Sequence, residues 1–209
     1  SVGDKVHNSW DIWVYPHHKD LMQTTPDVLY TTTYDAKAKQ YLQEGKKVVL
    51  CPKPNKVKGR KSVFHNHFWN PIMFKWAPTT LGCLIRALPI FHADQPMFAD
   101  FITEKHLDWQ WWDILTNAKV IDMTDTPQEL RPFIQVIDSY ETNQKLGIGF
   151  EARVNNGKLL VLAVDTRKDL DKRPATQQLL KSIDQYVKSG QFAPRATVKE
   201  EFIQSFLIK

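Results

Sequence analysis

Short apolar runs separated by turn residues divide the first fifty positions into alternating strand and helix. The run 11–15 predicts a first strand, which Pro16 stops. The β-branched and aromatic run 28–33 predicts a second strand, and the helical spacing of apolar residues within 35–44 predicts the helix after it. The apolar run 46–50 predicts a third strand. Strand, helix and strand in this order indicate a parallel βαβ unit that is buried on both faces.

The pattern becomes regular again in the second half of the chain. The run 134–138 predicts a strand, and residues 146–164 predict a β-hairpin with one fully buried strand. An apolar face along 175–188 predicts a helix that covers the sheet. Thr197 and Glu200 have the spacing of a capping box and predict a terminal helix. Its apolar stripe suits either docking on the same domain or contact with a separate partner.

These elements together predict an α/β fold class. We expect a mostly parallel sheet flanked by helices, with the antiparallel hairpin at one side. Residues 1–190 would form this single domain, and residues 191–209 would form a C-terminal extension that carries the terminal helix.

Composition and charge exclude several classes of protein. The chain has 209 residues with 28 Lys+Arg and 23 Asp+Glu, and the basic residues are spread along it, so we expect no nucleic-acid partner. The longest apolar run is far shorter than the roughly 18 residues that span a bilayer, so no membrane partner is expected. The chain opens at Ser1 without a methionine or an export signal, which suggests a processed protein or a piece of a longer one.

The residues that could act as nucleophiles or hold a cofactor do not form a known motif. Cys83 lies in a bulky aliphatic stretch that is too crowded for a nucleophile elbow, so Cys83 and Cys51 are both expected to be buried and structural; whether they pair is left open. His65 and His67 would share one face of a strand, but no zinc motif supports them, so no metal is expected. The 8 glycines include no phosphate-binding loop, so no cofactor is expected.

Three tryptophans within four residues, Trp109, Trp111 and Trp112, are the strongest local signal. Such a cluster either anchors a loop onto the core or offers flat indole faces on which sugar rings stack. In an extended segment, alternation would place Trp109 and Trp111 on one side and Trp112 on the other. We expect at least one buried anchor. The candidate carbohydrate-binding residues are Trp111 and Trp112, with Trp69 as a neighbour.

Several segments, in this order, resemble the C-terminal region of family 2 glycoside hydrolases, the β-galactosidase-like and β-glucuronidase-like enzymes of polysaccharide-degrading Gram-negative bacteria. The resemblance spans most of residues 10–190. The matching stretches are Trp10–Pro16, Tyr41–Leu50, Phe68–Pro71, Thr80–Gly82, Trp109–Asp113, Arg131–Pro132, Gln135–Asp138, Asn143–Gly147, Phe150–Ala152 and Gly157–Leu160. The sequence departs from the family pattern around 87–103.

The resemblance implies a flavodoxin-like or glutamine-amidotransferase-like domain behind a catalytic barrel. The partners would then be the catalytic and β-sandwich domains of the parent chain, with a glycan as a further partner, in the periplasm or outside the cell. Family 2 enzymes cleave β-glycosidic bonds with two carboxylates on the barrel. This chain is too short for a barrel of about 250 residues, so no catalytic residue is carried over.

The resemblance therefore implies a non-catalytic accessory domain of a glycoside hydrolase acting on β-linked glycans, which contributes interdomain packing and part of the rim of the substrate site. The alternative is an autonomous carbohydrate-binding module that uses the tryptophan cluster. A third reading, an amidotransferase-like enzyme, is disfavoured because the nucleophile elbow is missing. Whether the chain alone is an enzyme stays open.

Overall fold

The computed structural model describes residues 7–62, 64, 96–103, 108–136, 138 and 142–208. Six strands form one sheet in this part of the chain: β1 Val28–Thr31, β2 Lys47–Leu50, β3 Ile121–Asp122, β4 Ile134–Val136, β5 Leu146–Val154 and β6 Gly157–Leu162. The α-helices are α1 Ala36–Gln43, α2 Trp111–Thr116, α3 Pro174–Lys188 and α4 Glu200–Ser205, and short 3-10 turns occupy Pro54–Lys56, Pro96–Phe98 and Leu170–Lys172.

The sheet is mixed and curls into a half-barrel with few helices. Strands β1, β2 and β6 are parallel neighbours, whereas β5 pairs antiparallel with β6, β3 and β4. The expected mostly parallel, flavodoxin-like or glutamine-amidotransferase-like sheet flanked by helices is therefore wrong. The hairpin also does not lie at one side, because β6 pairs with β2 on one edge and with β5 on the other.

The curl depends on two glycines of β5. A Cβ on Gly147 would lie 2.5 Å from Pro132, and a Cβ on Gly149 would lie 2.4 Å from the Phe133 ring. The chain around β4 can therefore approach β5 only because both positions lack a side chain. The register between these strands shifts between Ile134 and Gln135, which adds to the irregularity that bends the sheet.

Several local expectations are confirmed and two are wrong. Helix α1 begins where expected, with the Asp35 carboxylate accepting the Ala38 N–H at 3.0 Å. The run 11–15 is not a strand and pairs with no strand of the described sheet. The terminal helix exists, but its N-cap is Lys199 and makes no side-chain cap bond, because Thr197 instead forms a bridge with Arg153 of β5.

Two apolar clusters cover the two faces of the sheet, and successive residues of β2 and β6 alternate between them. One face of the sheet, which we call the α3 face, packs against α2 and α3, whose contributing residues are Trp111, Leu179, Leu180 and Ile183. The opposite face, which we call the α1 face, packs against α1 and α4, whose contributing residues are Ala38, Leu42, Ile203 and Phe206. Among the described helices, none is long and apolar enough to cross a membrane.

Candidate functional site

Trp111 is the buried anchor of the tryptophan cluster. It begins α2 with a fully buried side chain, and its ring meets the Phe101 ring edge to face at a centroid distance of 5.0 Å. Its indole Nε1–H donates a hydrogen bond to Thr103 Oγ1 at 2.9 Å. Because both the ring and the N–H are used inside the protein, Trp111 presents no face on which a sugar could stack.

Trp109 and Trp112 are the exposed members of the cluster, with 71% and 52% of their surface accessible. The Trp112 N–H donates to the Trp109 carbonyl at 3.1 Å, so the segment turns helically here. The alternation expected of an extended segment is therefore wrong, because a turn puts residues three apart on one side. Phe64 lies against Trp109 at a centroid distance of 5.5 Å. Trp69 lies outside the described residues.

A buried glutamine ties three segments together beneath the exposed indoles. The Gln110 amide donates to the Ile102 carbonyl at 2.9 Å and to the Asp108 carboxylate at 2.8 Å, and its oxygen accepts from the Tyr15 hydroxyl at 2.5 Å. Burial, followed by the Asp108 charge, raises the pKa of Tyr15 to about 12. Tyr15 therefore stays a neutral donor, and the N-terminal segment is fixed next to the tryptophans.

A buried ion pair holds α2 against α3. Arg173 Nε lies 2.8 Å and 2.9 Å from the two carboxylate oxygens of Asp113, and Thr176 Oγ1 donates to the same carboxylate at 2.6 Å. The Arg173 side chain is 6% exposed and that of Asp113 is 23% exposed. This contact joins residues 60 positions apart, and no local sequence pattern indicates it.

Together these contacts support one apolar surface. We call the aromatic surface the exposed side chains Ile102, Trp109 and Trp112 with Phe64, and the N-terminal strip the exposed Trp10, Ile12 and Val14. The strip leads directly into Tyr15, which stacks on Phe101 at 6.2 Å, and Phe101 precedes Ile102. The N-terminal strip is therefore next in sequence to a residue, Tyr15, that contacts both Phe101 and Gln110.

The remaining residues singled out in the sequence are structural or undescribed. Cys51 is a free, buried thiol, and burial raises its pKa to about 12, which confirms the structural prediction. Cys83, His65 and His67 lie outside the described residues. In the part of the chain that the structure describes, no group of three His, Cys, Asp or Glu residues could hold a metal ion.

An open polar cleft of about 360 Å³ was not indicated by the sequence pattern. Arg131 and Lys145 line it, together with Thr124, Gln128 and Gln135. Lys145 Nζ donates to Thr126 Oγ1 at 3.0 Å and to the Pro127 carbonyl at 2.8 Å. Burial lowers the pKa of Lys145, and the Arg131 charge lowers it further. The two cations make this cleft attractive to anions. Lys145, however, already donates to Thr126 and Pro127, and Arg131 is exposed to solvent.

Comparison with known proteins identifies a family. The family model described as "Domain of unknown function (DUF8487)" matches residues 29–208. No curated protein matches the sequence. The match covers α2 and all of the sheet except Val28, so the aromatic surface lies inside it and the N-terminal strip lies outside it.

Proposed function

The chain belongs to the DUF8487 family of domains of unknown function, and we propose that it is a non-catalytic accessory domain of a glycoside hydrolase acting on β-linked glycans. In this proposal it packs against the catalytic and β-sandwich domains of its parent chain, in the periplasm or outside the cell. Its aromatic surface contributes to the rim of the substrate site.

The observation that carries the proposal is the concentration of exposed apolar surface in one region. Seven large apolar side chains are exposed in the described residues, and six of them belong to the aromatic surface or the N-terminal strip: Trp10, Ile12, Val14, Ile102, Trp109 and Trp112. Concentrations of exposed apolar side chains often mark contact sites. The surface is therefore suited to a partner.

The indole pair suits a glycan. Trp109 and Trp112 lie one helical turn apart, and the buried Trp111 and Gln110 fix the backbone beneath them. A fixed backbone reduces the conformational entropy that is lost when a ligand stacks on the two indoles. Polar groups also lie at the rim, where the Asp108 carboxylate accepts from Gln110 and Thr116 sits one turn beyond Trp112.

The N-terminal strip suits a protein domain. Trp10, Ile12 and Val14 expose 76%, 83% and 86% of their surface at alternate positions, which is the pattern of an extended segment with one apolar side uncovered. Burial of one such side chain contributes about 1.5–3 kcal/mol. This part of the surface supports interdomain packing.

The resemblance to the C-terminal region of family 2 glycoside hydrolases supports the choice of β-linked glycans. The fold that this resemblance implied is not the one observed, so the proposal depends on the surface and on the matching segments. The isolated chain should not hydrolyse nitrophenyl β-galactoside or β-glucuronide. Turnover that survives purification and depends on a residue of this chain would contradict a non-catalytic role.

Glycan contact is tested by titrating the chain with β-linked disaccharides and oligosaccharides of galactose, glucose and glucuronate, followed by tryptophan fluorescence and calorimetry. Trp109→Ala and Trp112→Ala should each weaken binding about tenfold, because stacking on an indole contributes on the order of 1 kcal/mol or more. Trp10→Ala is the matched control, since it removes an equally exposed indole from the N-terminal strip.

The result also separates the two readings of the surface. Binding by the isolated chain that requires Trp109 or Trp112 favours an autonomous carbohydrate-binding module. Binding that appears only when the parent's catalytic domain is present, and is lost in Ile12→Asp, favours the accessory domain. If no glycan binds in either case, and Ile12→Asp leaves association with the catalytic domain unchanged, both readings fail.

A further inference from the structure

A second cavity opens at the edge of the sheet where all three parallel strands end. Its volume is about 230 Å³, and it lies away from the aromatic surface. Thr31 is the last residue of β1, Cys51 directly follows β2, and Thr166 and Arg167 come from the loop after β6. We call this cavity the carboxyl-edge crevice.

Apolar and polar side chains both line the crevice. Its apolar lining consists of Leu21, Met22, Val49, Leu170 and Leu180. The hydroxyls of Thr32 and Thr166 and the guanidinium of Arg167 supply its polar groups, whereas the Thr31 hydroxyl already donates to the Thr33 carbonyl at 3.0 Å. Tyr30 also lines it, but its hydroxyl is already donated to Asp184 at 2.5 Å. Such a lining matches a ligand with an apolar body and one polar end.

Arg167 is placed by the local backbone. The Asp165 carboxylate accepts the N–H groups of Arg167 and Lys168, both at 3.0 Å, so the start of the loop has one conformation. Arg167 is exposed, and its guanidinium makes no ion pair with any described residue. The Asp184 carboxylate, which accepts from the lining residue Tyr30, is already paired with Lys188 at 2.7 Å. A guanidinium in this position can bind a carboxylate through two parallel hydrogen bonds.

Strained backbone surrounds the same crevice. Asp20, Met22 and Asp169 all have positive φ angles, of 58°, 56° and 49°. Met22 lines the crevice, and Asp20 and Asp169 directly precede its lining residues Leu21 and Leu170. Such angles are unfavourable for residues other than glycine and persist where the surrounding structure requires them. Both turns that border the crevice therefore hold their leucines in a defined place.

We propose that the carboxyl-edge crevice binds a small organic monocarboxylate. Its apolar body would lie between Leu21, Met22 and Leu180, and its carboxylate would meet Arg167 and the threonine hydroxyls. The ligand is small, since 230 Å³ is below the range of about 300–1,000 Å³ typical of pockets for drug-sized molecules. A single charge is preferred, because Arg167 is the one cationic side chain among the described lining residues.

Calorimetry with benzoate and hexanoate as probes tests the proposal, with benzamide and hexanamide as neutral counterparts and phenyl phosphate as a second anion. We expect at least one carboxylate to bind with a dissociation constant of about 1 mM or tighter, and its amide to bind at least about tenfold more weakly. Arg167→Gln should weaken carboxylate binding about tenfold or more. Lys168→Gln is the matched control, since it removes the neighbouring exposed cation that does not line the crevice.

The location is read from backbone amide shifts, which should change at Thr31, Thr32 and Thr166. Thermal melts of both variants should match the parent, because Arg167 and Lys168 are exposed. The proposal is overturned if none of the probes binds, if the amide binds as well as the acid, or if Lys168→Gln has the same effect as Arg167→Gln. Tighter binding of phenyl phosphate than of both carboxylates would overturn the assignment of a monocarboxylate. None of these outcomes depends on the proposed contact with glycans.

Discussion

The two faces of the sheet are built from different chemistry. Seven polar or charged residues are buried in the described chain, and all but Ser62 lie on α3, on its N-cap or directly before α2: Gln110, Arg173, Thr176, Gln177, Gln178 and Ser182. The α1 face is apolar in its interior, and its ion pair between Lys39 and Glu200 lies at the rim.

The polar groups of the α3 face fix segments that have little regular structure of their own. Ser182 donates to the Met97 carbonyl at 2.7 Å, and Gln177 and Gln178 accept from the backbone and ring of His18 at 2.9 Å and 2.6 Å. Buried hydrogen bonds of this kind are directional and specify one arrangement. The aromatic surface and the carboxyl-edge crevice both adjoin this face. The α3 face therefore positions the candidate sites, while the α1 face contributes stability.

The largest expected effect separates the anchor of the α3 face from its exposed neighbours. Trp111→Ala should lower the free energy of unfolding by about 3–5 kcal/mol, because it leaves a cavity against Phe101 and removes the hydrogen bond to Thr103. Trp109→Ala, the control, should change it by less than about 0.5 kcal/mol. Urea unfolding measures both. A Trp109→Ala variant that is as unstable as Trp111→Ala would show that the aromatic surface is structural.

The α1 face should respond only to lost volume. Leu42→Ala should lower the free energy of unfolding by about 3 kcal/mol, because the Leu42 side chain is fully buried. The packing is tight at this position, since a Cβ on Gly157 would come within 2.6 Å of the Leu42 Cα. Leu42→Met conserves volume and should cost less than about 1.5 kcal/mol. Thermal and urea unfolding measure both variants. A large loss for Leu42→Met would mean that this face is as specific as the other one.

The local elements could be predicted from sequence, and the arrangement of the sheet could not. Helix α1 has its cap and its period within eight residues, and the β5–β6 hairpin needs only alternation and a turn. The neighbour of β2 is β6, which lies more than a hundred residues away, so local pattern cannot indicate it. The run 11–15 has the composition of a strand, but it pairs with no strand of the described sheet, and its Ile12 and Val14 side chains stay exposed.

The candidate site was predictable to a similar extent. The tryptophan cluster stands out in the sequence, but the choice of anchor depends on a helical turn that the extended pattern did not indicate. The pairing of Asp113 with Arg173 and of Tyr15 with Gln110 joins distant segments. The carboxyl-edge crevice needs three strand ends to meet, which follows only from the observed strand order.

A smaller effect is expected at the buried ion pair of the α3 face. Asp113→Ala should cost about 2 kcal/mol, because it leaves the Arg173 guanidinium buried without its charge partner, while the partial exposure of Asp113 limits the loss. Lys181→Met is the control on the same helix. Its ion pair with Asp100 is 3.8 Å long and exposed, so the change should stay below about 0.5 kcal/mol. Chemical unfolding at low and high salt distinguishes the two pairs, since only the exposed one should be screened.

The smallest effect concerns two glutamates, one on each face, whose charges should respond to pH in opposite directions. On the α3 face, burial raises the pKa of Glu151, although the Tyr186 hydroxyl at 2.8 Å and the Lys158 charge oppose this shift. On the rim of the α1 face, the hydrogen bond from Asn155 at 2.8 Å, followed by that from Lys39, lowers the pKa of Glu200.

The signs follow from proton linkage. Glu151 binds its proton more tightly in the folded state, so its contribution to stability is full below the unfolded pKa of about 4.3 and is lost as the pH rises through the folded pKa. Glu200 binds its proton more weakly when folded, so its contribution is full above that value and is lost as the pH falls. The melting temperature of Glu151→Gln minus that of the parent should therefore increase as the pH rises from about 4 to 7. The melting temperature of Glu200→Gln minus that of the parent should be most negative at neutral pH and should approach zero in acid. Parallel curves for the two variants would mean that the two faces do not differ in their electrostatics, because only opposite shifts can produce opposite slopes.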